Sequence, residues 1–194
     1  MERRDALRYT AFFMGLSMSG ATISAIMSGC KTDDGDDWVS SFLSQEQSDF
    51  LADFGETIFP KTSTPGAKDA QVVRFIDAVR PLRYTVEDNE KFKTDLTAFI
   101  QKAKTEGGKE FVKLSPEKQL EWVTEVDKNS YEILNANSNT KDVERPFYIV
   151  LKEHIAGGYF SSELVMKEFF AFDPIPGRYD ACIPYEDVGR AWAI

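Results

Sequence analysis

From Ser44 onward the apolar residues of this chain recur every three or four positions, and no run alternates long enough to make a strand. That periodicity confines the chain to helical architectures. Proline, glycine and small polar residues divide it into separate segments. Ser44 and Gln47 form a candidate capping box ahead of Phe50, Leu51, Phe54 and Ile58, which share one helical face before Pro60 stops the run. After the Pro/Gly/Thr loop Lys61–Gly66, a second helix is predicted from about Asp69 to Arg80, ending before Pro81, with Val72, Val73, Ile76 and Val79 inward. A third, from about Glu87 to Thr105, carries Phe92, Leu96, Phe99, Ile100 and Ala103, and Gly107-Gly108 ends it.

Ser115-Pro116-Glu117 opens a fourth helix, reaching about Leu134 and presenting Leu120, Val123, Val126 and Tyr131. A polar loop (135–140) precedes a fifth, from about Val143 to Ala156, with Pro146 in its first turn. Gly157-Gly158 breaks that pattern, and Ser161 or Ser162 caps a last helix through about Phe172. Beyond Asp173, Pro174, Pro176, Gly177 and Pro184 forbid long regular structure. The expectation is an all-α single domain of five or six helices, residues 42–194, with an irregular proline- and aromatic-rich C-terminal segment.

The first residues do not belong to that domain. Arg3-Arg4 is followed by a variable residue, two small or apolar residues and a further base, Arg8, which is the order of a twin-arginine export signal. An apolar stretch to about Met27 follows, diluted by glycine, serine and threonine and so a poor permanent anchor. It ends in Met27-Ser28-Gly29-Cys30, a lipobox-like sequence in which Cys30 becomes the acylated N-terminus. Residues 1–29 therefore read as a cleaved signal and 30–41 as a lipidated acidic tether containing Asp33, Asp34, Asp36 and Asp37. The acidic run also resembles the surface-export signals of some lipoproteins, so the expected location is the periplasmic side of a membrane or the cell surface.

Charge and cysteine content narrow the function. Cleavage would remove three bases (Arg3, Arg4, Arg8) and two acids (Glu2, Asp5), moving the net charge from −9 to −10. Such a domain repels phosphate backbones, so no nucleic-acid partner is expected. With Cys30 committed to lipid, Cys182 is the remaining thiol and His154 the sole histidine, so neither an internal disulfide nor a metal site is expected.

Candidate chemistry is sparse. His154 lies on a segment with Phe147, Tyr148, Leu151 and Ile155 and reads as packed or partner-facing, without a visible partner for general-base work. No base adjoins Cys182 to activate it. Glu163, Glu168, Asp173 and Asp180 form no recognisable pair. Neither glycine pair has the strand–loop–helix setting of a phosphate cradle. No catalytic, cofactor-binding or metal residues are assigned.

Several fragments together carry a resemblance. Glu56-Thr57-Ile58-Phe59-Pro60, Thr62-Ser63-Thr64-Pro65-Gly66-Ala67, Gly158-Tyr159-Phe160-Ser161-Ser162, Pro174-Ile175-Pro176-Gly177-Arg178-Tyr179 and Cys182 occur in one order over most of the mature chain. In these the chain resembles the gluconate 2-dehydrogenase subunit 3 family, the small or gamma subunit of membrane-bound sugar dehydrogenases.

The resemblance implies an accessory subunit without a redox cofactor of its own. Its partner would be a large flavoprotein of the glucose–methanol–choline (GMC) oxidoreductase family, carrying FAD, in some complexes joined by a cytochrome c subunit. The lipid site at Cys30 is read from this sequence and is not a general feature of the family. Tyr159, Phe160, Pro174, Pro176, Gly177, Tyr179 and Cys182 are the expected partner interface. The alternatives are a stand-alone carbohydrate-binding lipoprotein, stacking sugar on Tyr159, Tyr179 or Trp192, and an enzyme using Cys182 or His154.

Overall fold

The computed structural model describes residues 38–137, 145–175, 177 and 182–193. Arg3, Arg4, Cys30, Pro176 and Tyr179 lie outside the described residues. The chain divides into a unit of residues 1–39, of which Trp38 and Val39 are described, and a unit of residues 40–194. The second unit is all-α among its described residues.

Its first helix, α1 (Gln45–Ile58), starts at the expected capping box: Ser44 Oγ accepts from Gln47 N, and Gln47 Oε1 accepts from Ser44 N. α2 is Val72–Arg83, α3 is Val86–Gly107, and a 3₁₀ turn at Phe111–Lys113 leads into α4, Pro116–Ala136. α5 is Phe147–Phe160, α6 is Glu163–Glu168 and α7 is Tyr185–Val188. Thr85 caps α3 by accepting from Asp88 N, and Gly108, with φ of 74°, terminates it in the left-handed region that suits glycine.

The core is built around Phe54 of α1, which is fully buried. Its ring meets Phe99 of α3 at 5.6 Å, Phe111 at 5.9 Å, Trp122 of α4 at 6.4 Å and Tyr148 of α5 at 6.2 Å, all close to edge-on. One side chain thus joins four other elements. α2 lies along α5, and α4 touches both α1 and α5. Leu96, Ile76, Leu151 and Ile155 complete the buried layer.

Five expectations are corrected. Pro81 lies inside α2, which runs on to Arg83. In a final turn the proline forfeits a single helical bond, toward the carbonyl of Asp77, and its fixed φ suits the helix. Residues 69–71 form turns ahead of that helix. On α4, Leu120 and Tyr131 are exposed, and Trp122 and Ser130 are inside with Val123 and Val126. A tryptophan has more apolar surface to bury than a leucine, and it rotates the helix.

Gly157-Gly158 does not end α5, which continues to Phe160. A Cβ at Gly158 would stand 2.9 Å from Phe75 Cδ1 and 3.3 Å from Val72 Cγ1, so the missing side chain lets α2 and α5 approach. Packing outweighs the weak helix propensity of the two glycines. Finally, α6 is capped by Ser162 as expected but stops at Glu168. The tail then returns: Ala171 bridges Trp192 through Ala171 N–Ala191 O at 2.8 Å and Ala193 N–Ala171 O at 2.9 Å.

A polar clamp starts the domain. Asp77 of α2 is buried and accepts from Ser40 Oγ, Ser41 N (3.1 Å), Ser41 Oγ (3.2 Å), Phe42 N (2.9 Å) and Leu43 N (3.0 Å). Burial alone would raise its pKa, but these donors outweigh it and hold the carboxyl below its ordinary value.

Candidate functional site

Two regions bring together the residues that the sequence singled out. In the first, the loop between α1 and α2 is locked from beneath. Glu56, on the last turn of α1, accepts from Lys61 N at 2.9 Å with one oxygen and from Lys68 N at 3.0 Å with the other. Gly66 lies flat against that carboxylate, where a Cβ would collide with it. Asp69 Oδ2 accepts from Gly66 N at 3.1 Å, and Ala67 N donates to Phe59 O at 2.9 Å. The Gly66 amide, followed by the Lys61 ammonium, keeps the Asp69 carboxyl below its usual range.

The far end of α5 closes this lock. The Tyr159 ring stacks on Phe59 at 4.3 Å and 5°, and its hydroxyl donates to Pro65 O at 2.8 Å. Tyr159 is buried, so its ring offers no free face to a sugar or a partner. Phe160, next to it, turns outward and is 40% exposed. Its ring edge meets Phe59 at 5.4 Å and lies 5.8 Å from Phe170, which in turn meets Phe169 at 5.0 Å. Pro174, Gly177 and Cys182 are exposed too. The fragments Glu56–Pro60, Thr62–Ala67 and Gly158–Ser162, separate in sequence, are therefore largely one structural locus.

The second region is a cleft of about 860 Å³ beside α3 and the start of α5, floored by Phe92, Phe99 and Phe147. The cations on its rim are paired: Lys91 with Asp95 at 3.0 Å, Lys102 with Glu106 at 3.9 Å, and Arg145 with both oxygens of Glu153. Arg80 closes one end and is buried. Its guanidinium carbon lies 3.9 Å from the Tyr84 ring centre and 4.2 Å from that of Phe92. Arg80 Nη2 donates to Asp88 O at 3.0 Å, and Nη1 lies 3.3 Å from His154 Nε2.

The histidine's other nitrogen, Nδ1, lies 2.7 Å from Val150 O. A carbonyl can only accept and a guanidinium can only donate, which fixes the neutral tautomer with its proton on Nδ1. Burial first, and the Arg80 charge after the opposing Val150 carbonyl, lower the His154 pKa. With Nε2 occupied by Arg80, this histidine is a packing residue with no lone pair to spare for base catalysis. A third polar cluster, Asp127 accepting from Tyr148 Oη at 2.6 Å and Lys152 Nζ at 2.5 Å, ties α4 to α5. Burial and the Asp127 carboxylate push the Tyr148 hydroxyl well above its ordinary pKa.

Among the described residues no group of three or more His, Cys, Asp or Glu side chains is placed to hold a metal. None of their helices is long and apolar enough to cross a membrane. Sequence reasoning missed Asp77 and Arg80 as inward-facing residues. Their signal was positional: with Val72 and Ile76 they occupy one stripe of α2 at helical spacing.

The arrangement is that of a small helical domain whose polar and aromatic landmarks fasten its own loops and helices. The chain belongs to the gluconate 2-dehydrogenase subunit 3 family, whose sequence model matches residues 45–177, from the first residue of α1 into the C-terminal tail. The family is an accessory subunit of a dehydrogenase complex. No curated protein and no solved structure matches the chain.

Proposed function

We infer that this chain is the non-catalytic small subunit of a flavin-dependent GMC-type dehydrogenase acting on a sugar or sugar acid. It escorts that enzyme through the twin-arginine route, stabilises it, and holds it at the membrane through lipid on Cys30. The observation that carries this reading is the family match across the helical core, 45–177. Arg3-Arg4 and Cys30 supply the export and anchoring parts.

The twin-arginine route moves folded proteins. A helical domain without a cofactor gains little from it, whereas a flavoenzyme must close around its flavin before export. A signal-bearing subunit bound to the folded enzyme carries both across, and by binding only the folded state it stabilises that state by mass action. Electrons then leave through the partner, in some complexes to a cytochrome c subunit.

The test is cellular. Replacing Arg3 and Arg4 with lysine should strand both this chain and the flavin dehydrogenase in the cytoplasm. Cys30→Ser should release the active complex from the membrane. An enzyme that reaches its usual compartment despite the double lysine change overturns the escort reading.

A further inference from the structure

We propose that the tip of the loop between α1 and α2, Lys61, Thr62 and Ser63, with Phe160 beside it, is the surface that recognises the catalytic subunit. This rests on the accessory-subunit reading above and adds to it where the partner binds.

The loop's construction carries the argument. Its base is fixed by the Glu56 carboxylate, Asp69, the Tyr159 hydroxyl and the Phe59 carbonyl, five hydrogen bonds that serve no helix ladder. Pro60 and Pro65 restrict the chain at both ends. At the tip, Thr62 N donates to Thr64 O at 3.0 Å and the two threonine hydroxyls lie 3.2 Å apart. Yet Lys61, Thr62 and Ser63 are themselves exposed. Ordering a residue costs on the order of 1 kcal/mol, and these three recover none of that by entering the core. A loop ordered during folding has that cost behind it when a partner arrives, which is the advantage of preorganisation.

The neighbourhood fits a protein partner. Phe160, half-exposed at the foot of the loop, continues through Phe170 to Phe169, which is 41% exposed. An aromatic centre beside a polar rim, here the Thr62 and Ser63 hydroxyls and a Lys61 ammonium held by Asp69 at 3.0 Å, is the usual make-up of a specific interface. A second copy of this chain is the wrong occupant, because two surfaces on chains of net charge −9 repel one another.

Ser63→Arg places bulk on the tip and breaks none of the bonds named above, whereas Thr62→Arg also gives up the hydroxyl contact with Thr64. The tagged full-length chain is purified from its native membrane in mild detergent, and flavin absorbance is read per mole of chain. The expected result is at least a tenfold loss of co-purified flavin in either variant, with helical circular dichroism unchanged in both and the melting midpoint unchanged in Ser63→Arg. Equal flavin in wild type and both variants overturns the loop assignment and leaves the accessory-subunit reading standing. A wild-type chain that brings down no flavin overturns both, and one recovered as a homodimer overturns the choice of occupant.

Discussion

Asp77→Ala should open the N-terminal edge of the domain. The substitution removes five hydrogen bonds, three of them from the consecutive backbone amides of Ser41, Phe42 and Leu43. Each bond to a charged acceptor contributes about 1.5–3 kcal/mol. Their sum overstates the loss, because residues 40–43 can peel away and rehydrate. Peeling releases Leu43, which is 5% exposed and whose burial is worth about 1.5–3 kcal/mol. The expected destabilisation is therefore about 3 kcal/mol, at the upper end for a single substitution. For a domain of this size that lowers the melting midpoint by roughly 6–12 °C.

Thermal melts followed by circular dichroism measure it, with limited proteolysis near Ser40 as a second readout. Asp77→Asn should recover less than half, because its amide nitrogen faces donors. The folded-state pKa of Asp77 lies below its unfolded value, so its contribution is fully present above the ordinary carboxylate pKa. It is lost as pH falls through the folded value, and the gap between wild type and variant should close in acid. A midpoint shift under about 2 °C, with the segment still protected, would refute the clamp.

Other outcomes follow from the same packing. The folded pKa of His154 is lowered, so its contribution is fully present above the unfolded value near 6.5 and is lost as pH falls from there through the folded pKa. Urea midpoints taken across that window should fall for wild type and stay flatter for His154→Gln; identical slopes would contradict the lowered pKa of His154. Gly157→Ala, with nothing within 4 Å of the new Cβ, should stabilise by up to about 1 kcal/mol. Gly158→Val should destabilise by about 1–3 kcal/mol, since the Phe75 ring must move; chemical denaturation of the pair reads both signs. Tyr159→Phe strands the Pro65 carbonyl and should cost about 1–3 kcal/mol, measured the same way; a neutral result would mean water takes the place of the hydroxyl.

Which features were legible from sequence follows from how local they are. The Ser44–Gln47 box, the Gly108 terminator and the Ser162 cap each depend on residues within one helical turn, and each appears where expected. The inward face of α3 was equally plain, because Phe92, Leu96, Phe99, Ile100 and Ala103 are apolar and periodic. Asp77 and Arg80 were not, because the partners that make their burial tolerable include distant ones: Ser40 lies 37 positions from Asp77 and His154 lies 74 from Arg80. Gly157-Gly158 read as a helix break because propensity alone argues so, and the close approach of α2 that Gly158 permits is a tertiary fact. The loop fragments stood out as a set, but their meeting through Tyr159 and Pro65 spans 94 positions and leaves no periodic trace.

Purification of the untagged native complex decides whether this chain works as part of a flavin dehydrogenase. Mild-detergent extraction, followed by an absorbance scan and a denaturing gel, should give a one-to-one assembly with a larger, flavin-bearing chain. A colourless monomer carrying out no dehydrogenation would contradict the account.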